Sequence, residues 1–177
     1  MIDLAGEVLI LTGPPGSGKT TTAQALAVKP TSPKVHLHAD DFWNFVKYGA
    51  IPPYLPEAHE QNGVVVNVVA KAVEGYATGG YFVVLDGIIG PWFLQPFRAL
   101  AVPLHYIVMR PPLDVAIQRC RERAGDTLDP QAIMSLHRQF SSLGELESHA
   151  LPTAQHSPEE MQRMVIEAVN SGAFRLS

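Results

Sequence analysis

Cysteine is nearly missing from this chain: Cys120 is the only one among 177 residues. A lone thiol forms no internal disulfide and no thiolate metal cluster, so a reducing cytoplasm is the expected compartment. Charge is sparse as well, at 17% Asp, Glu, Lys and Arg with a formal net charge of -4. That balance leaves no overall attraction for nucleic acid or for an anionic membrane surface. No apolar run approaches the roughly 20 residues that a bilayer span requires. The start lacks a cationic segment followed by a long apolar stretch, since residues 8–11 are too few, and no signal peptide is expected. Repeats, low-complexity tracts and linkers are missing too, so residues 1–177 are expected to form one domain.

What the chain does have is a hydrophobic content of 46% arranged as short apolar runs between helical patterns. Residues 8–11, 35–39, 81–85 and 104–109 read as buried strands, with a weaker fifth near 149–153. Helices are expected at 19–28, over 57–78, after Pro112, after Asp129 and Pro130, and after Ser157. The stretch 57–78 is rich in valine, yet its length and the spacing of Val65, Val69, Ala72, Val73 and Tyr76 select a helix that stops at Gly79 and Gly80. Ser157 and Glu160 form a capping box before the stripe Met161, Met164, Val165 and Ala168. Strands alternating with helices predict an α/β, three-layer architecture around a central five-stranded parallel sheet.

The most specific pattern is Gly13-Pro14-Pro15-Gly16-Ser17-Gly18-Lys19-Thr20, which satisfies G-x-x-x-x-G-K-[ST] between a strand and a helix. Such a loop turns consecutive amides inward, and these join the positive helix end around phosphate oxygens. Lys19 is then placed to bridge the β- and γ-phosphates, and the Thr20 hydroxyl to bind Mg²⁺. The expected fold is therefore a P-loop NTPase fold, with ATP and Mg²⁺ as the expected cofactors.

Acidic residues at strand ends face the ligand crevice of such a sheet. Asp40 and Asp41 follow the second predicted strand, and Asp86 follows the third. A carboxylate beside a γ-phosphate can take the proton of an attacking hydroxyl, which is the role assigned to Asp40. Asp41 is assigned to substrate or to magnesium water; the reverse order stays open, as does a helix cap by Asp41 at Phe42. Asp86 resembles the Walker B aspartate that holds magnesium directly or through water, although Asp86-Gly87 is also a common turn pair. His36 and His38 alternate along one strand but lack a third ligand at suitable spacing, so they are read as structural.

Arg119, Arg121 and Arg123 precede a segment that reads as part of a lid near residues 119–138. Arg123 is the candidate for the phosphates and Arg119 for stacking on adenine, while Arg121 is read as a solvated face. Aromatics at Phe42, Trp43, Phe45, Tyr48, Tyr54, Trp92 and Phe93 cluster after strands two and three, where an acceptor would bind.

Taken together, these residues resemble the small P-loop kinases that include shikimate kinase, gluconate kinase and chloramphenicol phosphotransferase. The resemblance implies Asp40 as base and adds Arg138, which falls where shikimate kinase places a substrate-binding arginine. The Asp-x-Asp and triple-glycine elements of shikimate kinase and the histidine of gluconate kinase are missing, so the family carries over without a named substrate. The absence of Asn-Lys-x-Asp favours ATP over GTP. The expected activity is phosphoryl transfer to a small hydroxylated acceptor. An ATP-driven switch without an acceptor is one rival, and a nucleotide kinase, for which only Arg98 and Arg138 stand out as phosphate ligands, is another.

Overall fold

The computed structural model describes residues 3–29, 32–122, 129–153 and 156–176. Five parallel strands form one sheet in the order β2-β3-β1-β4-β5, comprising β1 (Val8–Thr12), β2 (Lys34–His38), β3 (Phe82–Gly87), β4 (Leu104–Arg110) and β5 (Ala150–Pro152). The helices are α1 (Lys19–Ala27), α2 (Ala39–Asn44), α3 (His59–Thr78), α4 (Gln95–Arg98), α5 (Leu113–Glu122), α6 (Pro130–Gln139) and α7 (Pro158–Ser171).

The period of two along each strand sorts the core onto two faces. Val8 and Ile10 of β1, Val83 and Leu85 of β3, and Tyr106 and Val108 of β4 pack with Val65, Val66, Val69 and Val73 of α3. Leu9 and Leu11, Val84, Ile107 and Met109 turn the other way, onto Ala23 and Leu26 of α1 and Met161 and Val165 of α7. Both faces are therefore covered by helices, which is why the central strands read as unbroken apolar runs. Each such buried aliphatic contributes about 1.5–3 kcal/mol relative to exposure.

The helical reading of the valine-rich stretch holds, because Val65, Val69 and Val73 are buried on one face of α3. Tyr76 departs from the expected stripe: it is exposed and packs edge-on against Tyr81, with ring centroids 6.0 Å apart. The predicted capping box is present, with Ser157 Oγ accepting from Glu160 N at 3.2 Å and Glu160 Oε2 accepting from Ser157 N at 2.7 Å. Asp129 caps α6 by accepting from Gln131 N at 2.9 Å.

Strand order positions the site. From β1 the chain crosses by α1 to β2 on one side, whereas from β3 it crosses to β4 on the other. A crevice opens where neighbouring strands send their connections in opposite directions, here at the carboxyl ends of β1 and β3.

Candidate active site

The chain leaves β1 through the glycine-rich loop predicted to cradle phosphate. Gly13, Gly16 and Gly18 have φ of 145°, 76° and 88°. Gly13 and Gly16 also lack room: a Cβ would lie 2.2 Å from the Met109 carbonyl oxygen at the first and 2.3 Å from that of Ala116 at the second. Only glycine lets this loop lie against the end of β4 and against α5. Pro14 and Pro15 are buried within it, and the Pro14 carbonyl accepts from Ser17 N at 3.2 Å. Gly18 caps α1, so Lys19 and Thr20 open that helix at its positive end. Ser17 Oγ is buried with no hydrogen-bond partner among the described residues. A buried, unsatisfied hydroxyl beside a helix N-terminus and a lysine suits an anionic oxygen ligand, as a polyphosphate would supply.

Asp86 lies inside β3 rather than after it, as residue counting had suggested, and is fully buried. It stands opposite Leu11 of β1 and His38 of β2 in the sheet register. Its two oxygens are shared among three side chains. His36 Nε2 is 2.6 Å from Oδ1, while His38 Nδ1 and Thr20 Oγ1 lie 3.0 Å and 2.5 Å from Oδ2. Burial raises the carboxyl pKa, but hydrogen bonds from His36, His38 and Thr20 outweigh it and hold Asp86 ionised well below the usual carboxylate range. In return the bond to Asp86 raises His38, against the opposing effect of burial and with help from Asp40 and Asp41. The structural reading of the two histidines is thus given a content that spacing alone did not reveal: they clasp the acidic residue of the third strand.

Asp40 and Asp41 do not directly follow a strand that runs through residue 39. The strand ends at His38, and Asp40 and Asp41 fall in the first turn of α2. The N-cap is His38, so Asp41 does not cap a helix at Phe42. The tight turn nevertheless brings Asp40 Oδ2 within 3.6 Å of His38 Nε2. His38 therefore stands between Asp86 and Asp40, with one ring nitrogen toward each.

Beyond Asp40 opens a cleft of about 450 Å³, with Trp43 and Asn44 of α2, Ile88, Trp92 and Phe93 after β3, and Leu136 and Gln139 of α6 in its walls. The aromatic residues foreseen for an acceptor site divide here. Trp43, Tyr54, Trp92 and Phe93 line the cleft, whereas Phe45 and Tyr48 are exposed and outside it. Asn62 of α3 is buried in the wall, accepting from Trp43 Nε1 at 2.8 Å and donating to the Pro53 carbonyl at 2.8 Å. No residue-type pattern in the sequence singles out Asn62; its role follows from packing.

The remaining predicted residues are more dispersed. Arg119 reaches the loop, its Nη1 3.5 Å from the Gly16 carbonyl oxygen. Arg123, with part of the predicted lid, lies outside the described residues. Asp41 is exposed on α2, and Arg138 is exposed on α6, where Leu136 and Gln139 line the cleft instead. Among the described residues no group of three or more His, Cys, Asp or Glu side chains is arranged to hold a metal ion. The hard oxygens of Thr20 and Asp86 do fit Mg²⁺, which takes few protein ligands and keeps water and phosphate oxygens for the rest. No helix among the described residues is long and apolar enough to cross a membrane.

Comparison with known proteins identifies the fold. A sugar kinase from Janibacter sp. HTCC2649 superposes with a TM-score of 0.69 at 16% identity, covering 93% of this chain and 94% of its own. A gluconokinase from Sinorhizobium meliloti 1021 gives 0.71 at 15% identity over 95% and 94%. Shikimate kinase from Acinetobacter baumannii gives 0.66 at 16% identity over 96% of each chain. At these identities the likeness establishes the fold, an α/β P-loop NTPase fold around a parallel sheet. No curated protein sequence matches the chain significantly. A family model described as an AAA domain matches residues 8–143, which contain the phosphate loop, Asp40, Asp41, Asp86 and the described lining of the cleft, and the chain therefore belongs to this AAA domain (AAA_33) family.

Proposed function

We propose that the chain is an ATP-dependent phosphotransferase that acts on a hydroxyl group of a small molecule held in the cleft beside Asp40. The observation that carries this reading is the position of Asp40, which borders the cleft and is linked through His38 to Asp86 and so to Thr20 of the phosphate loop. A purely regulatory ATP switch has no need of a second, aromatic-walled cleft next to a carboxylate.

The loop amides and Ser17 hold the phosphates, and Lys19 offsets their charge. Asp40 accepts the proton of the acceptor hydroxyl as the new O–P bond forms. The bond between the γ-phosphorus and its bridging oxygen breaks, leaving ADP. Thr20 and Asp86, the latter directly or through water, would hold Mg²⁺, and the bond between them fixes the direction of the Thr20 hydroxyl; when bound, the ion neutralises phosphate charge. Arg119 is assigned to stacking on adenine, a reading supported by its 3.5 Å approach to the Gly16 carbonyl oxygen, and Arg123 is assigned to the transferring phosphoryl group. Asp41 and Arg138 are assigned to the acceptor, residues 1–177 to a single domain, the segment near 119–138 to a lid, and the cytoplasm to the protein's location.

The test is ATP consumption with panels of alcohols, sugars, hydroxy acids and nucleoside monophosphates, with products identified by mass spectrometry. The proposal expects ADP formation that depends on one acceptor class and yields its phosphorylated product. Equal ATP hydrolysis with and without every acceptor would favour the switch reading.

A further inference from the structure

The cleft beside Asp40 differs in character from the loop beside it. Its walls are dominated by the apolar faces of Trp43, Ile88, Trp92, Phe93 and Leu136, and no lysine or arginine is among its described lining residues. The aromatic wall is tied together. Trp43 and Phe93 have ring centroids 6.3 Å apart, Trp92 and Phe93 6.1 Å, and Trp92 and Phe140 5.3 Å. Asn62 accepts from the Trp43 indole at 2.8 Å and donates to the Pro53 carbonyl at 2.8 Å, so each end of that amide already has a partner in the wall.

Apart from the imidazoles of His59 and His38, the charge described in and behind the cleft is carboxylate. Asp40 lines the cleft, with Asp41 in the same helical turn and Asp86 behind His38. An acceptor carrying a carboxylate or phosphate would bring a second negative charge beside Asp40 with no lysine or arginine on the described walls to pair it, which is costly in a partly dry site. A plain polyol could bond to Asp40, Asn44, Tyr54, His59 and Gln139 but would leave the aromatic walls uncovered. A flat or bulky apolar body instead covers those walls and gains about 25 cal/mol for each Å² of apolar surface removed from water.

From this chemistry we infer that the acceptor is an uncharged alcohol with an apolar, preferably aromatic, body, oriented so that its hydroxyl meets Asp40. The inference rests on the phosphotransferase reading for the fate of the hydroxyl, but binding to the cleft can be measured without phosphoryl transfer. The chain has two tryptophans, Trp43 and Trp92, and both line the cleft. Intrinsic tryptophan fluorescence therefore reports on this site alone.

The intact protein is titrated with three probes that share a hydroxyl and differ in body and charge: 1-phenyl-1,2-ethanediol, mandelate and glycerol. The phenyl diol is expected to change the fluorescence and to bind at least about tenfold more tightly than either of the others, corresponding to one factor of ten in an equilibrium constant. In Leu136→Arg, which adds a cation to the wall, mandelate is expected to gain at least that factor. Tighter binding of mandelate or glycerol by the wild-type protein, or no fluorescence response to any probe, overturns the inference. ATP and magnesium are then added and products analysed by mass spectrometry. Preferential binding of the phenyl diol without any phosphorylated product retains the ligand class and removes the phosphotransferase reading. Preferential phosphorylation of glycerol or mandelate does the reverse.

Discussion

Thr20 Oγ1 donates to Asp86 Oδ2 across 2.5 Å, joining the first residues of α1 to the third strand, 66 positions later in the chain. This bond aims the hydroxyl that a P-loop uses for its metal, and it couples the phosphate loop to the His36–Asp86–His38 cluster. Substitutions around that bond should therefore affect stability and nucleotide binding together.

Asp86→Asn keeps the volume but removes a buried negative charge that three donors share. Losing hydrogen bonds to a charged group is expected to lower unfolding free energy by about 2 kcal/mol at neutral pH. Urea denaturation checks this. An unchanged midpoint and slope would mean that the cluster contributes nothing to the folded state.

His38 supplies a pH signature. Its folded pKa is raised, chiefly by the hydrogen bond to Asp86, so the protonated form is favoured in the folded protein. The stability it adds is fully present below the ordinary histidine value of about 6.5 and fades as pH climbs through the raised value. Wild-type Tm should fall over that interval, and His38→Asn should show a smaller fall. Thermal melts at a series of pH values measure the difference; identical pH profiles would contradict the assignment.

Gly16→Ala tests the close packing of the loop. The added methyl meets the Ala116 carbonyl oxygen at 2.3 Å and demands a positive φ of 76° from a residue with a Cβ. The strain is of the order of 1–3 kcal/mol, and ATP affinity should drop at least tenfold as the loop shifts. Calorimetry that finds wild-type affinity in a folded variant would show that the loop tolerates displacement.

Much of this site was legible locally. The phosphate loop announces itself because glycine, lysine and threonine must occur at set spacings within eight consecutive residues, and its strand and helix flank it directly. The two faces of the sheet follow from alternation within each strand. What could not be read depends on distant pairing. His36 and His38 meet Asp86 only because β2 lies beside β3 with His38 opposite Asp86, a register that no local pattern in either strand specifies. The early turn into α2 was hidden too, since Ala39 reads as the last residue of an apparent strand that in fact ends at His38. The cleft needs α6, nearly 100 residues further on, to bring Leu136 and Gln139 against α2.

Asp40→Asn bears on the chemical step. Once an acceptor is in hand, turnover should fall by about a hundredfold or more while ATP affinity changes little, because general-base removal acts mainly on the transition state. Steady-state kinetics with the best acceptor provides the number. Wild-type turnover in the variant would take Asp40 out of the mechanism.

The most direct measurement is calorimetric titration of Mg·ATP into the wild-type protein and into Lys19→Ala. If the loop from Gly13 to Thr20 grips a polyphosphate, the wild type binds one nucleotide per chain and the variant binds at least about tenfold more weakly, the loss expected when a charge-assisted phosphate contact is removed. Equal affinity in the two proteins, or no binding to the wild type, would contradict the account.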